Sequence, residues 1–135
     1  MITNMRNIKT IYIFGNPLLP FDSIPIELKK DLENMLPNFE FIVQDPNENL
    51  KPKNKELIII DTIQGIDKVI ILNEIDKIEN SPKYSMHDFD LGFNLKLLQK
   101  IGELEKVTIF GVPMKIKKQA ALKQLIFHIS NTLNT

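Results

Sequence analysis

The chain lacks cysteine altogether, and this absence removes several kinds of chemistry at once. None of its 135 residues can form a disulfide, supply a thiolate to a metal or act as a thiol nucleophile. The chain also lacks a net charge, because 17 lysines and arginines balance 17 aspartates and glutamates. We therefore expect neither nucleic acid nor an anionic membrane as a partner.

Glycine is scarce, and long apolar runs are missing. With 5 glycines, the chain has no glycine-rich phosphate loop and no G-x-S-x-G nucleophile motif. No apolar run approaches the ~18 residues of a membrane helix, and the first residues lack the apolar core of a signal peptide. These absences lead us to expect a soluble, cytoplasmic protein, with one domain over residues 1–135 and a monomer favoured.

Short apolar runs alternate with helical patterns along the chain. Four mostly continuous runs predict strands that are covered on both faces. They are Ile11–Phe14, Leu57–Ile60, Val69–Leu72 and Val107–Phe110, while Phe39–Val43 alternates more and predicts an edge strand. Because residues 61–68 are too few for a parallel crossover, we expect the strand at 69–72 to be antiparallel.

Three amphipathic patterns predict helices between these strands. Their apolar positions are Ile24, Leu28, Leu32 and Met35; then Leu91, Leu95, Leu98 and Ile101, with Gly102 as a C-terminal stop; and finally Leu122, Leu125, Ile126, Ile129 and Leu133. The sequence therefore predicts an α/β three-layer sandwich, in which helices cover both faces of a mostly parallel five-stranded sheet.

Three side chains that can bind a metal are expected where such a sheet binds its ligands. Ligands occupy the crevice beyond the carboxyl ends of parallel strands. Asp22 follows the first strand, Asp61 follows the strand that ends at Ile60, and His87 precedes the second helix. Two carboxylates and an imidazole suit a divalent metal such as zinc, nickel or iron, and would leave coordination positions open.

Each of these residues also has an ordinary structural interpretation. Asp22 precedes a helix, where an acid is commonly a cap, and capping is the more frequent role for such a residue. His87 could simply begin its helix. Asp61 is less easily explained this way, because burying a carboxylate at a strand end is costly unless the group is paired or bound.

At these same residues the chain resembles the maturation endopeptidases of nickel–iron hydrogenases. The resemblance covers roughly residues 11–133 and depends on three segments in order. These segments are Gly15-Asn16 with Asp22, Ile60-Asp61-Thr62 with Gly65, and Ser85-Met86-His87. The chain departs from the pattern in one loop, where Phe21 replaces an acid and Ser23 and Pro25 replace small, glycine-like residues.

The resemblance implies an aspartic-type endopeptidase that removes the C-terminal extension of a hydrogenase large-subunit precursor after nickel insertion. Asp22, Asp61 and His87 would be its catalytic and nickel-contacting residues. The precursor would supply the nickel, with no permanently bound organic cofactor. Two alternatives stay open: a non-proteolytic chaperone of the same fold that docks the nickel-loaded subunit, and a small metal-dependent hydrolase with its own metal.

Overall fold

A computed structural model describes residues 8–15, 23–44, 50–75 and 91–133. In chain order its elements are β1 (Lys9–Phe14), α1 (Ile24–Glu27), α2 (Lys29–Met35), β2 (Phe39–Gln44), β3 (Glu56–Ile63), β4 (Ile70–Leu72), α3 (Leu91–Lys100), β5 (Lys106–Pro113) and α4 (Lys118–Leu133). Within these residues, no helix has the length and hydrophobicity needed to span a bilayer.

The strands form one sheet in the order β2-β1-β3-β5-β4. The pairs β1–β2, β1–β3 and β3–β5 are parallel, whereas β4 runs antiparallel to β5. The predicted mostly parallel sheet, its antiparallel strand and its edge strand at 39–43 are thus confirmed. The short connection from β3 accounts for the reversal, because it leaves no room for a crossover helix.

Each face of the sheet has its own apolar core, so the three-layer prediction is confirmed. On one side, called the α4 face below, α1, α2 and α4 cover the even-numbered side chains of β3, such as Ile58 and Ile60. On the other, called the α3 face, Leu95 and Leu98 of α3 cover Leu57 and Ile59. Burial of a side chain of this size contributes about 1.5–3 kcal/mol.

Two strands extend beyond their predicted ends. β3 and β5 stay paired from Glu56↔Lys106 to Ile63↔Pro113, so Asp61 lies inside a strand rather than after one. Gly111 and Pro113, which follow the predicted strand Val107–Phe110, are also strand residues. Polar residues and glycine interrupt the apolar runs, but they do not interrupt the backbone ladder.

The predicted helices differ in detail from those observed. The first pattern forms two helices, α1 and α2, joined at Leu28. Two positions expected in the core are wrong: Met35 is 57% exposed and Ile101 is 63% exposed. Each lies at or just beyond a helix end, where the helical periodicity no longer decides which side chains face the sheet, and Leu36 is buried in place of Met35.

Gly102 ends α3 as predicted. Its φ of +80° is in the left-handed region, which glycine adopts without a side-chain clash. The Gly102 and Glu103 amides donate to the Gln99 and Leu98 carbonyls, the bonding pattern of a Schellman motif.

One ion pair connects α1 to α4 on the α4 face. The Lys118 ammonium contacts the Glu27 carboxylate, and the Ser23 hydroxyl donates to the same carboxylate over 2.6 Å. Lys118, and to a smaller degree Ser23, holds the pKa of Glu27 below its ordinary value of 4.5.

This lowered pKa makes a prediction about acid stability. A depressed carboxyl pKa contributes stability above the unfolded pKa and loses it as the pH falls through the folded one. We expect the stability difference between wild type and Glu27→Gln to shrink below about pH 4.5. Urea unfolding from neutral pH down to about pH 3 measures it. Lys118→Met should remove the same pH dependence of stability. A stability difference between wild type and Glu27→Gln that stays constant across this pH range would contradict the assignment.

Gly111 makes a second prediction, because two neighbouring strands fill its side-chain position. A Cβ there would lie 2.2 Å from Ile63 Cδ1 and 3.2 Å from Ile70 Cγ1. Since Ile63 is 1% exposed, its end has no solvent into which it can move. We expect Gly111→Ala to cost about 1–3 kcal/mol of unfolding free energy by overpacking.

The cause can be isolated by shortening Ile63. In Gly111→Ala/Ile63→Val the closest contact is gone, so the double variant should lose less stability than the sum of the two single changes. Urea unfolding of the four proteins completes this cycle. Additive losses would mean that Ile63 is not what excludes a side chain at position 111.

Candidate functional site

Asp61 is an acid inside an otherwise apolar part of the sheet. It is 4% exposed, and among the described residues no other acidic or basic side chain is buried. Because strand side chains alternate, Asp61 shares the α3 face with Ile59 and Ile63, which belong to the core there. A hydrophobic residue would pack at this position more cheaply, so an acid here indicates a polar contact.

The neighbouring strands place different groups on either side of Asp61. On β5 its register partner is Gly111, which has no side chain. On β1, Phe14 follows Ile13, the partner of Ile60, and is buried in the same core as Ile59. Asp61 therefore lies toward the carboxyl ends of three adjacent parallel strands, with an aromatic ring on one side and bare backbone on the other.

A local hydrogen bond orients the Asp61 carboxylate. The Thr62 amide donates to Asp61 Oδ1 over 2.8 Å, within the buried part of the sheet. Charge-assisted bonds of this kind are stronger than those between neutral groups, and they favour the ionised carboxylate. The bond fixes the orientation of one carboxylate oxygen.

The chain topology places α3 on the same face of the sheet as Asp61. β5 begins opposite the start of β3, where the Glu105 and Lys106 amides donate to the Lys55 carbonyl. α3 ends at Lys100, six residues before β5 begins, and so ends at this lower edge. A ten-residue helix rises about 15 Å, and five strand residues rise about 17 Å. The helix is therefore about as long as the part of β3 from Glu56 to Asp61, and it covers the same face of the sheet.

Two of the three predicted site residues, Asp22 and His87, lie outside the described residues, as do Asn16 and Phe21. The structure does locate the chain directly after Asp22. Ser23 occupies the N-cap position of α1, but its side chain makes no capping hydrogen bond. Within the described part of the chain, no three His, Asp or Glu residues come together as a metal site.

The residues that depart from the resemblance have structural roles. Pro25 lies in the first turn of α1, where a helix has no need of its amide hydrogen, and it is buried. Ser23 is 7% exposed and bonds to Glu27. Glu27, to which Ser23 bonds, also pairs with Lys118. The sequence does not predict this ion pair, because Glu27 and Lys118 are far apart along the chain and no periodic pattern relates them.

No protein-family model matches the chain, and no curated protein matches it. Three solved structures are similar in fold, and the similarity runs over most of both chains. The hydrogenase 3 maturation protease is 16% identical, with a TM-score of 0.63, over 92% of this chain and 90% of that one. The hydrogenase 2 maturation peptidase from a Thaumarchaeota archaeon is 14% identical, with a TM-score of 0.57, over 94% and 98%.

An uncharacterized protein from Wolinella succinogenes is also similar, at 14% identity and a TM-score of 0.52, over 92% of this chain and 93% of that one. At such identities the likeness is one of fold. The predicted resemblance is confirmed at that level: this chain has the fold of the hydrogenase 3 and hydrogenase 2 maturation proteases.

Proposed function

We propose that this chain is an endopeptidase that removes the C-terminal extension of a nickel–iron hydrogenase large-subunit precursor after nickel insertion. The observation that carries the proposal is the buried carboxylate of Asp61 at the ligand-binding edge of the sheet. The shared fold with two hydrogenase maturation proteases supports the reaction class.

We assign the recognition of nickel to Asp22, Asp61 and His87. Carboxylate oxygens and imidazole nitrogens are suitable ligands for this ion, which reaches the site as part of the precursor. The described structure supports a common location for the three. Asp61 lies on the face of the sheet that α3 covers, and His87 precedes α3 in sequence. Asp22 precedes α1 in sequence, and α1 contacts both β1 and β3.

In this proposal the side chains dock the substrate's metal and so position the scissile peptide bond. Nickel held beside that bond can polarise its carbonyl or lower the pKa of a bound water. The water oxygen adds to the carbonyl carbon, the C–N bond breaks, and the departing amine takes up a proton. The work of this chain is positioning, and the burial of Asp61 keeps its carboxylate in one orientation.

The direct test is cleavage of the precursor. Incubation with nickel-loaded precursor should shorten the large subunit by a C-terminal peptide, which intact-protein mass spectrometry detects. Nickel-free precursor should stay uncut, because the proposed docking contacts need the metal. An unchanged mass for the nickel-loaded precursor, with folded protein, would overturn the peptidase assignment.

Asp61→Asn tests the residue that carries the argument. Asparagine keeps an oxygen for the Thr62 amide but loses the charge, so we expect folding to be retained and cleavage to fall by at least about 100-fold. The matched control is Asp67→Asn, since Asp67 is an exposed acid in the turn after β3. Circular dichroism and the initial rate of cleavage measure the two effects. Equal rates for both variants would remove Asp61 from the site.

The same experiments separate the alternatives. A protein that binds the nickel-loaded precursor without shortening it, as seen by gel filtration, would be a chaperone of this fold. Purified protein with stoichiometric metal by elemental analysis would favour a hydrolase with a resident metal. The proposed function predicts that the precursor is cut, and that the purified protein holds no stoichiometric metal because nickel arrives with the precursor.

A further inference from the structure

The Ser23–Glu27–Lys118 cluster, called the upper clamp below, joins two loops at the carboxyl edge of the sheet. Ser23 begins α1 after the β1–α1 loop, and Lys118 begins α4 after the loop that follows β5. In the sheet β3 lies between β1 and β5. The clamp therefore links α1, which follows β1, to α4, which follows β5. These two strands are the neighbours of β3, the strand that carries Asp61.

The upper clamp engages both oxygens of the Glu27 carboxylate. The Ser23 hydroxyl donates to Glu27 Oε2 over 2.6 Å, and the Lys118 ammonium contacts Glu27 Oε1, so both oxygens of one carboxylate are engaged. Ser23 is buried, although its side chain does not cap α1. The four-residue α1 has few hydrogen bonds of its own, so an outside contact matters to its position.

The same three groups occur at the opposite edge of the sheet. There the Thr10 hydroxyl donates to Glu40 over 2.8 Å, and the Lys53 ammonium donates to Thr10 over 3.0 Å and lies 3.6 Å from Glu40. This lower clamp involves the second residues of β1 and β2, far from the carboxyl ends of the strands. It provides a matched control, because it has the same chemistry at a place where no ligand is expected.

We propose that the upper clamp is a positioning device for the reaction: it fixes the start of α1, and with it the backbone that leaves Asp22, relative to β3 and Asp61. This inference rests on the proposed function. Glu27 and Lys118 touch no substrate in it, and they act through the placement of α1. A small misplacement of a reacting group can cost up to about 100-fold in rate, so a surface ion pair can matter to catalysis while contributing little to stability.

The test compares Lys118→Met with Lys53→Met, using two measurements. Steady-state cleavage of nickel-loaded precursor gives kcat and KM, and amide hydrogen exchange reports on the Glu27 and Leu28 amides, which donate within the first turn of α1. We expect Lys118→Met to lower kcat by roughly tenfold with KM nearly unchanged, and to speed exchange at both amides. Lys118→Arg should restore both values, and Lys53→Met should change neither.

The other possible outcomes contradict either this inference or the proposed function. Faster exchange with unchanged kcat would mean that α1 is loosened without consequence, and unchanged exchange would mean that there is no clamp; both overturn the inference. If the wild type leaves nickel-loaded precursor uncut, the proposed function fails. A rise in exchange confined to Lys118→Met would then still support the clamp as a mechanical link.

Discussion

The site depends on the position of β3, which is paired with β1 and β5 along its edges and covered by helices on both faces. Water cannot reach the middle of such a strand, so the cost of burying a carboxylate there must be met by protein contacts or by a ligand. Burying Leu57, Ile59 and Ile60 contributes about 1.5–3 kcal/mol each, which is of the same order as the cost of one buried polar group. The apolar contacts of β3 therefore offset part of the cost of burying Asp61.

The neighbours of Asp61 suit this use of the strand. Gly111 brings bare backbone beside it, but the space is not empty, because Ile63 fills the position of the absent side chain. The sheet is therefore closely packed on the β5 side of Asp61.

The architecture could be predicted from the sequence because it follows from burial. Continuous apolar runs mark covered strands, and the short segment at 61–68 forces β4 to reverse. Strand ends could not be predicted in this way: Asp61 and Gly111 resemble the start of a turn, but parallel pairing continues through both. Met35 and Ile101 fit the helical periodicity, yet they are exposed, because the periodicity does not show at which residue a helix ends. The upper clamp has no local pattern at all, since only the fold brings Glu27 and Lys118 together.

The departures at Ser23 and Pro25 can be understood through that clamp. A loop with small, glycine-like residues can adopt many conformations, and ordering it on docking costs entropy. Here Pro25 restricts one backbone angle and Ser23 is tied, through Glu27, to α4. Both changes reduce the freedom of the chain that follows Asp22 before any substrate arrives. The start of α1 is thus held by contacts that form on folding, before any substrate binds.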